Sequence, residues 1–96
     1  MALIPMENDF MKTETVEVKL SNLTWTVSAA GKYYATTSFS ASGKTVVAVT
    51  INSWGLLRAS DLITPYINSS GGIGVLSNVN SFYNANAYIN ILVLYK

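Results

Sequence analysis

The segment "YINILVLY" (residues 88–95) decides the fold class, because its apolar residues recur with a period of two. Successive side chains of a strand point to opposite sides of the sheet, so Ile89, Ile91 and Val93 share one face. The opposite face is also largely apolar. We therefore expect this strand to be central in its sheet, or to have one face on the core and the other on a neighbouring subunit.

The same period recurs near the start of the chain. It appears in "TETVEVKL" (residues 13–20) and in "LTWTVS" (residues 23–28), with only "SN" between them. Polar residues alternate with apolar ones in both segments, which is typical of half-buried strands. The residues predicted to face inward are Val16, Val18, Leu20, Leu23, Trp25 and Val27.

Three segments in the middle of the chain carry further strand signals. "TVVAVTIN" (residues 45–52) is apolar on both faces, which favours a central strand. "SWGLLRAS" (residues 53–60) is a further strand candidate, in which Gly55 would mark a bulge or a close backbone approach. Pro65 places "DLITPYI" (residues 61–67) at a sheet edge, because proline has no N–H to donate to a neighbouring strand.

Together these segments predict one all-β domain. No stretch has the period of a helix of ordinary length, whereas seven or eight short strands are separated by turns rich in Gly, Ser and Asn. That pattern is typical of an antiparallel β-sandwich or barrel, and we expect a sandwich of jelly-roll type. The predicted division is a loose leader over residues 1–11 and a single domain over residues 12–96.

The composition indicates self-association. Half of the 96 residues are hydrophobic and 11% are charged, against about 25% charged residues in an average soluble domain. Burial against identical copies explains such a surplus, and we expect a homo-oligomer. The chain has no uninterrupted run of about 20 apolar residues, so we expect no membrane insertion. The net charge of +1, without clustered Lys or Arg, argues against a nucleic-acid partner.

The residue types that most enzymes need are scarce. The chain has no His and no Cys, which removes nucleophile–histidine pairs, disulfides and the commonest metal ligands. Asp61 is the only carboxylate after Glu17, so a pair of carboxylates for hydrolysis is not available there. We interpret Asp61 as a turn residue partnered by Arg58. The sequence thus predicts no catalytic residues, no metal, no cofactor and a protein that is not an enzyme.

Binding chemistry is better represented. Asn80, Tyr83, Asn84 and Asn86 combine amide groups with an aromatic ring in one predicted loop, and Trp54 is a second aromatic candidate. Amides offer donors and an acceptor to sugar hydroxyls, and aromatic rings offer flat apolar faces. These five residues form the candidate ligand site. Ordinary turn formation and core packing are the competing interpretation of the same residues.

Two segments, "GKYYATTSFSASGKTVVAVTINSW" (residues 31–54) and "NANAYINILVLYK" (residues 84–96), carry a resemblance. They resemble the C-terminal head or tip domains of bacteriophage tail fibres and baseplate receptor-binding proteins. The likeness spans about residues 20–96. It implies a homotrimeric β-sandwich that binds a host cell-surface saccharide or protein. Those tips follow a long fibrous shaft, so this chain could be an isolated tip, a free-standing virion protein or a cellular domain of the same architecture.

Three functions follow as expectations. The first is a receptor-binding virion protein, synthesised in the cytoplasm of a bacterial host, since the N-terminal residues lack the pattern of a secretory signal. The second is a structural virion protein, such as a capsid decoration or tail adaptor protein, in which the same aromatic residues form subunit contacts. The third is an inhibitor or regulator that holds a host protein along an exposed strand edge.

Overall fold

The computed structural model describes residues 11–96, and within them every regular element except one 3-10 turn at Leu20–Asn22 is a β-strand. The predicted all-β class is therefore confirmed. The predicted leader over residues 1–11 lies outside the described residues, except for Met11. The strands are β1 (Lys12–Lys19), β2 (Thr26–Ala29), β3 (Lys32–Thr36), β4 (Val46–Gly55), β5 (Ile63–Ile67), β6 (Ile73–Ser77) and β7 (Tyr88–Tyr95).

The strands form two antiparallel sheets. The three-stranded sheet has the order β1-β7-β4, and the four-stranded sheet has the order β2-β3-β6-β5. β7 is central, as its sequence predicts, and β5 with Pro65 is an edge strand, as proline requires. The chain passes from one sheet to the other after β1, β3, β4 and β6. Only the hairpins β2-β3 and β5-β6 stay within one sheet.

The core lies between the two sheets, in a sandwich-like arrangement. Ile89, Ile91 and Val93, which share one face of β7, are fully buried. From the four-stranded sheet, Ile73 and Val75 of β6 pack into the same cluster and are also fully buried. One continuous apolar core therefore holds the two sheets together. Its remaining buried members are Val18, Leu20 and Ile63.

The prediction that "TVVAVTIN" forms a central strand is wrong. Within residues 11–96, β4 is an edge strand that pairs only with β7, and its residues are half-buried or exposed. Its register shifts between Val46 and Ala48 and again between Ile51 and Ser53, in the manner of β-bulges. Bulges and twist protect an edge strand from pairing with other chains. A strand that is apolar on both faces can therefore lie at an edge.

Two smaller predictions also need correction. Val27 is 61% exposed rather than inward-facing, because β2 has only four residues and all of them lie on the surface. "SWGLLRAS" is not a separate strand, since residues 53–55 are the end of β4. The predicted close approach at Gly55 is confirmed: a Cβ there would lie 2.5 Å from Cε1 of the Tyr88 ring.

The connections gather at two ends of the domain. β1 and β4 run toward the end at which β7 begins, and the β2-β3 turn lies at that same end. We call it the loop end; it comprises residues 20–25, 30–31, 56–62 and 78–87. The far end comprises residues 37–45 and 68–72, together with the start of β1 and the end of β7.

Candidate functional site

The loop over residues 78–87 brings the predicted amide residues to the loop end. Its last turn is closed by Asn84, whose carbonyl oxygen accepts from the Ala87 N–H at 3.0 Å. The side-chain Oδ1 of Asn84 also accepts, from the N–H of Asn86 at 2.8 Å. This is the turn that an Asn side chain forms with its own backbone two residues later. One of the predicted binding amides therefore has a structural function.

The segment after β1 anchors one side of this loop. Ser21 Oγ donates to the carbonyl oxygen of Ala85 at 2.7 Å, and the N–H of Leu20 donates to the carbonyl oxygen of Ala87. The rings of Trp25 and Phe82 pack at 5.9 Å between centroids. Phe82 is thus committed to packing, whereas its neighbours Ser81 and Tyr83 are exposed.

The segment after β4 anchors the other side. Arg58 Nη2 donates to the carbonyl oxygen of Ser81 at 2.9 Å. Asn78 links the same two segments, because its Nδ2 donates to the carbonyl oxygen of Ser60 and its Oδ1 accepts from the N–H of Leu62. Hydrogen bonds on both sides therefore fix the position of the loop, even though it has no regular secondary structure.

The part of the loop that faces outward holds Tyr83, which is 61% exposed. Asn80 and Asn86 are exposed as well, and their side-chain amides make no hydrogen bond to any residue between 11 and 96. Both amides keep their donors and acceptor for other molecules. Tyr83, in the same loop, offers an exposed ring face.

Trp54 reaches the same end from β4. It lies opposite Ile89 in the register of β4 and β7, yet 64% of it is exposed. The ring borders a cleft of about 350 Å³ between β4 and β5, whose other walls include Leu57, Arg58 and Leu62. An exposed tryptophan beside a cleft is a surface on which a flat apolar group can stack.

The predicted site residues thus share one end of the domain but do not share one cavity. Trp54 lines the cleft, whereas Asn80, Tyr83, Asn84 and Asn86 do not. The predicted pairing of Asp61 with Arg58 is present, at 3.1 Å. Arg58 was not among the site residues predicted from the sequence, but it also lines the cleft. The only sequence feature that could have indicated this is its position four residues after Trp54, which lies near the end of a strand.

A larger groove, of about 710 Å³, opens between β1 and β3. Hydroxyl groups from Thr24, Thr36 and Ser38 are among its walls, with Tyr34 as its aromatic residue. None of the predicted site residues lines it. Size alone therefore does not favour this groove over the 78–87 loop and the Trp54 cleft, which hold the exposed aromatic rings and the uncommitted amides.

Residues 11–96 contain no group of three His, Cys, Asp or Glu side chains that could hold a metal ion. Over the same span, no helix has the length and apolar character needed to cross a membrane. Comparison of the chain with models of known protein families, with curated proteins and with solved structures found no match.

Proposed function

We propose that this chain is a non-enzymatic recognition domain that binds a host cell-surface glycan through its loop end, in the manner of a phage receptor-binding tip. One observation carries the proposal: Trp54 and Tyr83 are each more than 60% exposed at the same end of the domain. Large aromatic side chains usually bury much of their surface in a monomer. Their joint exposure beside uncommitted amides suits a saccharide, which has apolar ring faces and hydroxyl groups.

In this proposal the domain assembles as a homotrimer on the surface of a virion. Exposed apolar side chains on the outer face of the four-stranded sheet support association. Tyr34 lies directly opposite Leu76 in the register of β3 and β6, and they are 38% and 46% exposed. Burial of such a pair between copies would remove apolar area from water. The return of β7 to a position beside β1 supports the jelly-roll part of the proposal.

Light scattering coupled to size exclusion tests the assembly. We expect a mass about three times the 10.4 kDa of one chain. The Leu76→Lys variant should reduce that mass, because an ammonium group would be buried without a partner at the contact. Thr15→Lys on the exposed face of β1 is the matched control and should keep the assembly. A wild-type protein that remains a single chain at high concentration would contradict the trimer.

Binding of the purified protein to a glycan array and to whole bacteria tests recognition. We expect a defined subset of glycans to bind, with loss of binding in Tyr83→Ala. Lys32→Ala, at the exposed hairpin of the same end, serves as the control. Binding that persists on cells stripped of surface saccharide would identify a protein receptor instead. Failure of the wild-type protein to bind any glycan or host surface would overturn the proposed function.

A second candidate, a structural virion protein without receptor activity, is favoured by the apolar surface. Val27 and Val47 are 61% and 46% exposed outside the predicted glycan site. In a decoration or adaptor protein such residues would contact other virion subunits. Tyr83→Ala separates the two functions: loss of binding with intact assembly supports recognition, whereas loss of assembly supports the structural role.

A further inference from the structure

The cleft beside Trp54 contains a feature that ordinary sugar binding does not require, a positively charged side chain held in a fixed orientation. Arg58 Nε donates to Asp61 Oδ1 at 3.1 Å and to Oδ2 at 3.3 Å, while Nη2 donates to the carbonyl oxygen of Ser81 at 2.9 Å. The backbone N–H of Arg58 donates to Asp61 Oδ2 as well. These bonds set the plane of the guanidinium group without any ligand present.

The two members of this ion pair differ in exposure. The Asp61 side chain is fully buried, whereas the Arg58 side chain is 42% exposed. A guanidinium group has five N–H donors. The hydrogen bonds made by residues 11–96 leave both N–H groups of Nη1 without an acceptor. Arg58 therefore presents oriented donors to the surface, and Asp61 is a positioning residue for it.

Trp54 and Arg58 line the same cleft, together with the apolar side chains of Leu57 and Leu62. Its volume of about 350 Å³ suits one or two small rings. A ligand for this cleft would place an apolar ring face on the indole and an oxyanion within reach of Nη1. Arginine is well suited to that contact, because its planar fork matches carboxylate and phosphate oxygens.

We propose that the Trp54–Arg58 cleft binds an anionic saccharide, with the sugar ring stacked on Trp54 and its carboxylate or phosphate bound by Arg58. This inference rests on the proposed function and adds the chemical class of the ligand. The fixed orientation of Arg58 favours affinity, since little side-chain freedom is lost when the anion binds. Asp61 lowers the net charge of the cleft but is fully buried, so the exposed charge is the cation.

The test compares three soluble probes by calorimetry: trigalacturonate, its neutral methyl ester and mannose 6-phosphate. A hydrogen bond to a charged group is stronger than one between neutral groups, so we expect the acid to bind roughly 10- to 100-fold more tightly than its ester. Tighter binding of mannose 6-phosphate than of trigalacturonate would identify a phosphorylated sugar as the source of the anion. Equal affinity for the acid and its ester, with no binding of the phosphate, would overturn the inference.

Variants assign the two contacts. Trp54→Ala should weaken binding of trigalacturonate about tenfold or more, and Arg58→Gln should abolish the preference for acid over ester. Lys32→Gln removes one positive charge at the same end but outside the cleft, and its affinity should stay within about twofold of wild type. If Arg58→Gln does not fold, the affinity of Trp54→Ala and the comparison of trigalacturonate with its methyl ester still test the inference. Unchanged binding by Trp54→Ala would contradict the assignment.

The outcomes separate this inference from the proposed function. Glycan binding that is restricted to neutral sugars and depends on Tyr83 would retain the function and reject the anionic cleft. The absence of binding to every glycan and host surface would reject both.

Discussion

The two ends of the domain use the same residue types differently. At the far end, Lys44 Nζ pairs with Glu14 at 3.0 Å and lies about 5 Å from the ring centres of Phe39 and Tyr95. At the loop end, Trp54 and Tyr83 are more than 60% exposed. The rings of Phe39 and Tyr95 are thus held by contacts within the chain, whereas Trp54 and Tyr83 at the loop end are available to other molecules.

The asparagines show the same difference. At the far end, Oδ1 of Asn68 accepts from the N–H of Ser70, from Ser70 Oγ and from the N–H of Gly72. At the loop end, Asn84 closes a turn, but the side chains of Asn80 and Asn86 form no hydrogen bond with the described part of the chain. The comparison teaches that amide and aromatic content alone does not indicate a site. A candidate site is distinguished by exposed rings and by amides that form no hydrogen bond within the described part of the chain.

The largest expected difference concerns two tyrosines. Tyr95 is half-buried against the core, so Tyr95→Ala should lower the free energy of unfolding by about 2–3 kcal/mol, somewhat less than a fully buried ring. Tyr83→Ala should change it by no more than about 0.5 kcal/mol, because an exposed side chain loses little packing. Urea denaturation of both variants measures the difference. Equal destabilisation would remove the contrast between the ends.

A smaller difference is expected between two asparagines. Asn68→Ala should lower the free energy of unfolding by about 1–2 kcal/mol, because the N–H groups of the 68–72 turn lose their acceptor. Asn86→Ala should leave stability within about 0.5 kcal/mol of wild type. Thermal unfolding of the two variants measures this. A destabilising Asn86→Ala would mean that its amide serves folding after all.

The smallest effect concerns the ion pair at the far end. Glu14→Gln should lower the free energy of unfolding by about 1 kcal/mol or less, because the pair with Lys44 is partly exposed. Glu17→Gln, on the outward face of the same strand, is the matched control. The difference between the two variants should shrink in 1 M salt, which screens exposed charges. A difference that does not depend on salt would point to packing of the Glu14 side chain instead.

The sequence predicted the strands whose side chains alternate clearly. The inward positions of β1 and the shared face of Ile89, Ile91 and Val93 follow from that alternation, and the edge position of β5 follows from Pro65. The sequence failed where position in the sheet depends on distant pairing. β4 is apolar on both faces yet lies at an edge, and Val27 belongs to a strand too short to cover the core.

The candidate site was predictable in its residue types and in part in its position. Local sequence indicated the loop around Tyr83, and the structure places Trp54 at the same end through the pairing of β4 with β7. That Asn84 is committed to a turn while Asn86 is not depends on hydrogen-bond geometry. The orientation of Arg58 depends on Ser81, which lies 23 residues away in the chain. Composition cannot reveal such contacts.

One measurement tests the central claim directly: two-dimensional ¹H–¹⁵N NMR of the protein during titration with a glycan that it binds. The account predicts shifts of the Trp54 indole N–H, of the Asn80 and Asn86 side-chain amides, and of the Tyr83 backbone. Signals from Asn68 and Lys44 at the far end should stay in place. Shifts confined to the far end, or to the groove between β1 and β3, would contradict the assignment of recognition to the 78–87 loop and the Trp54 cleft.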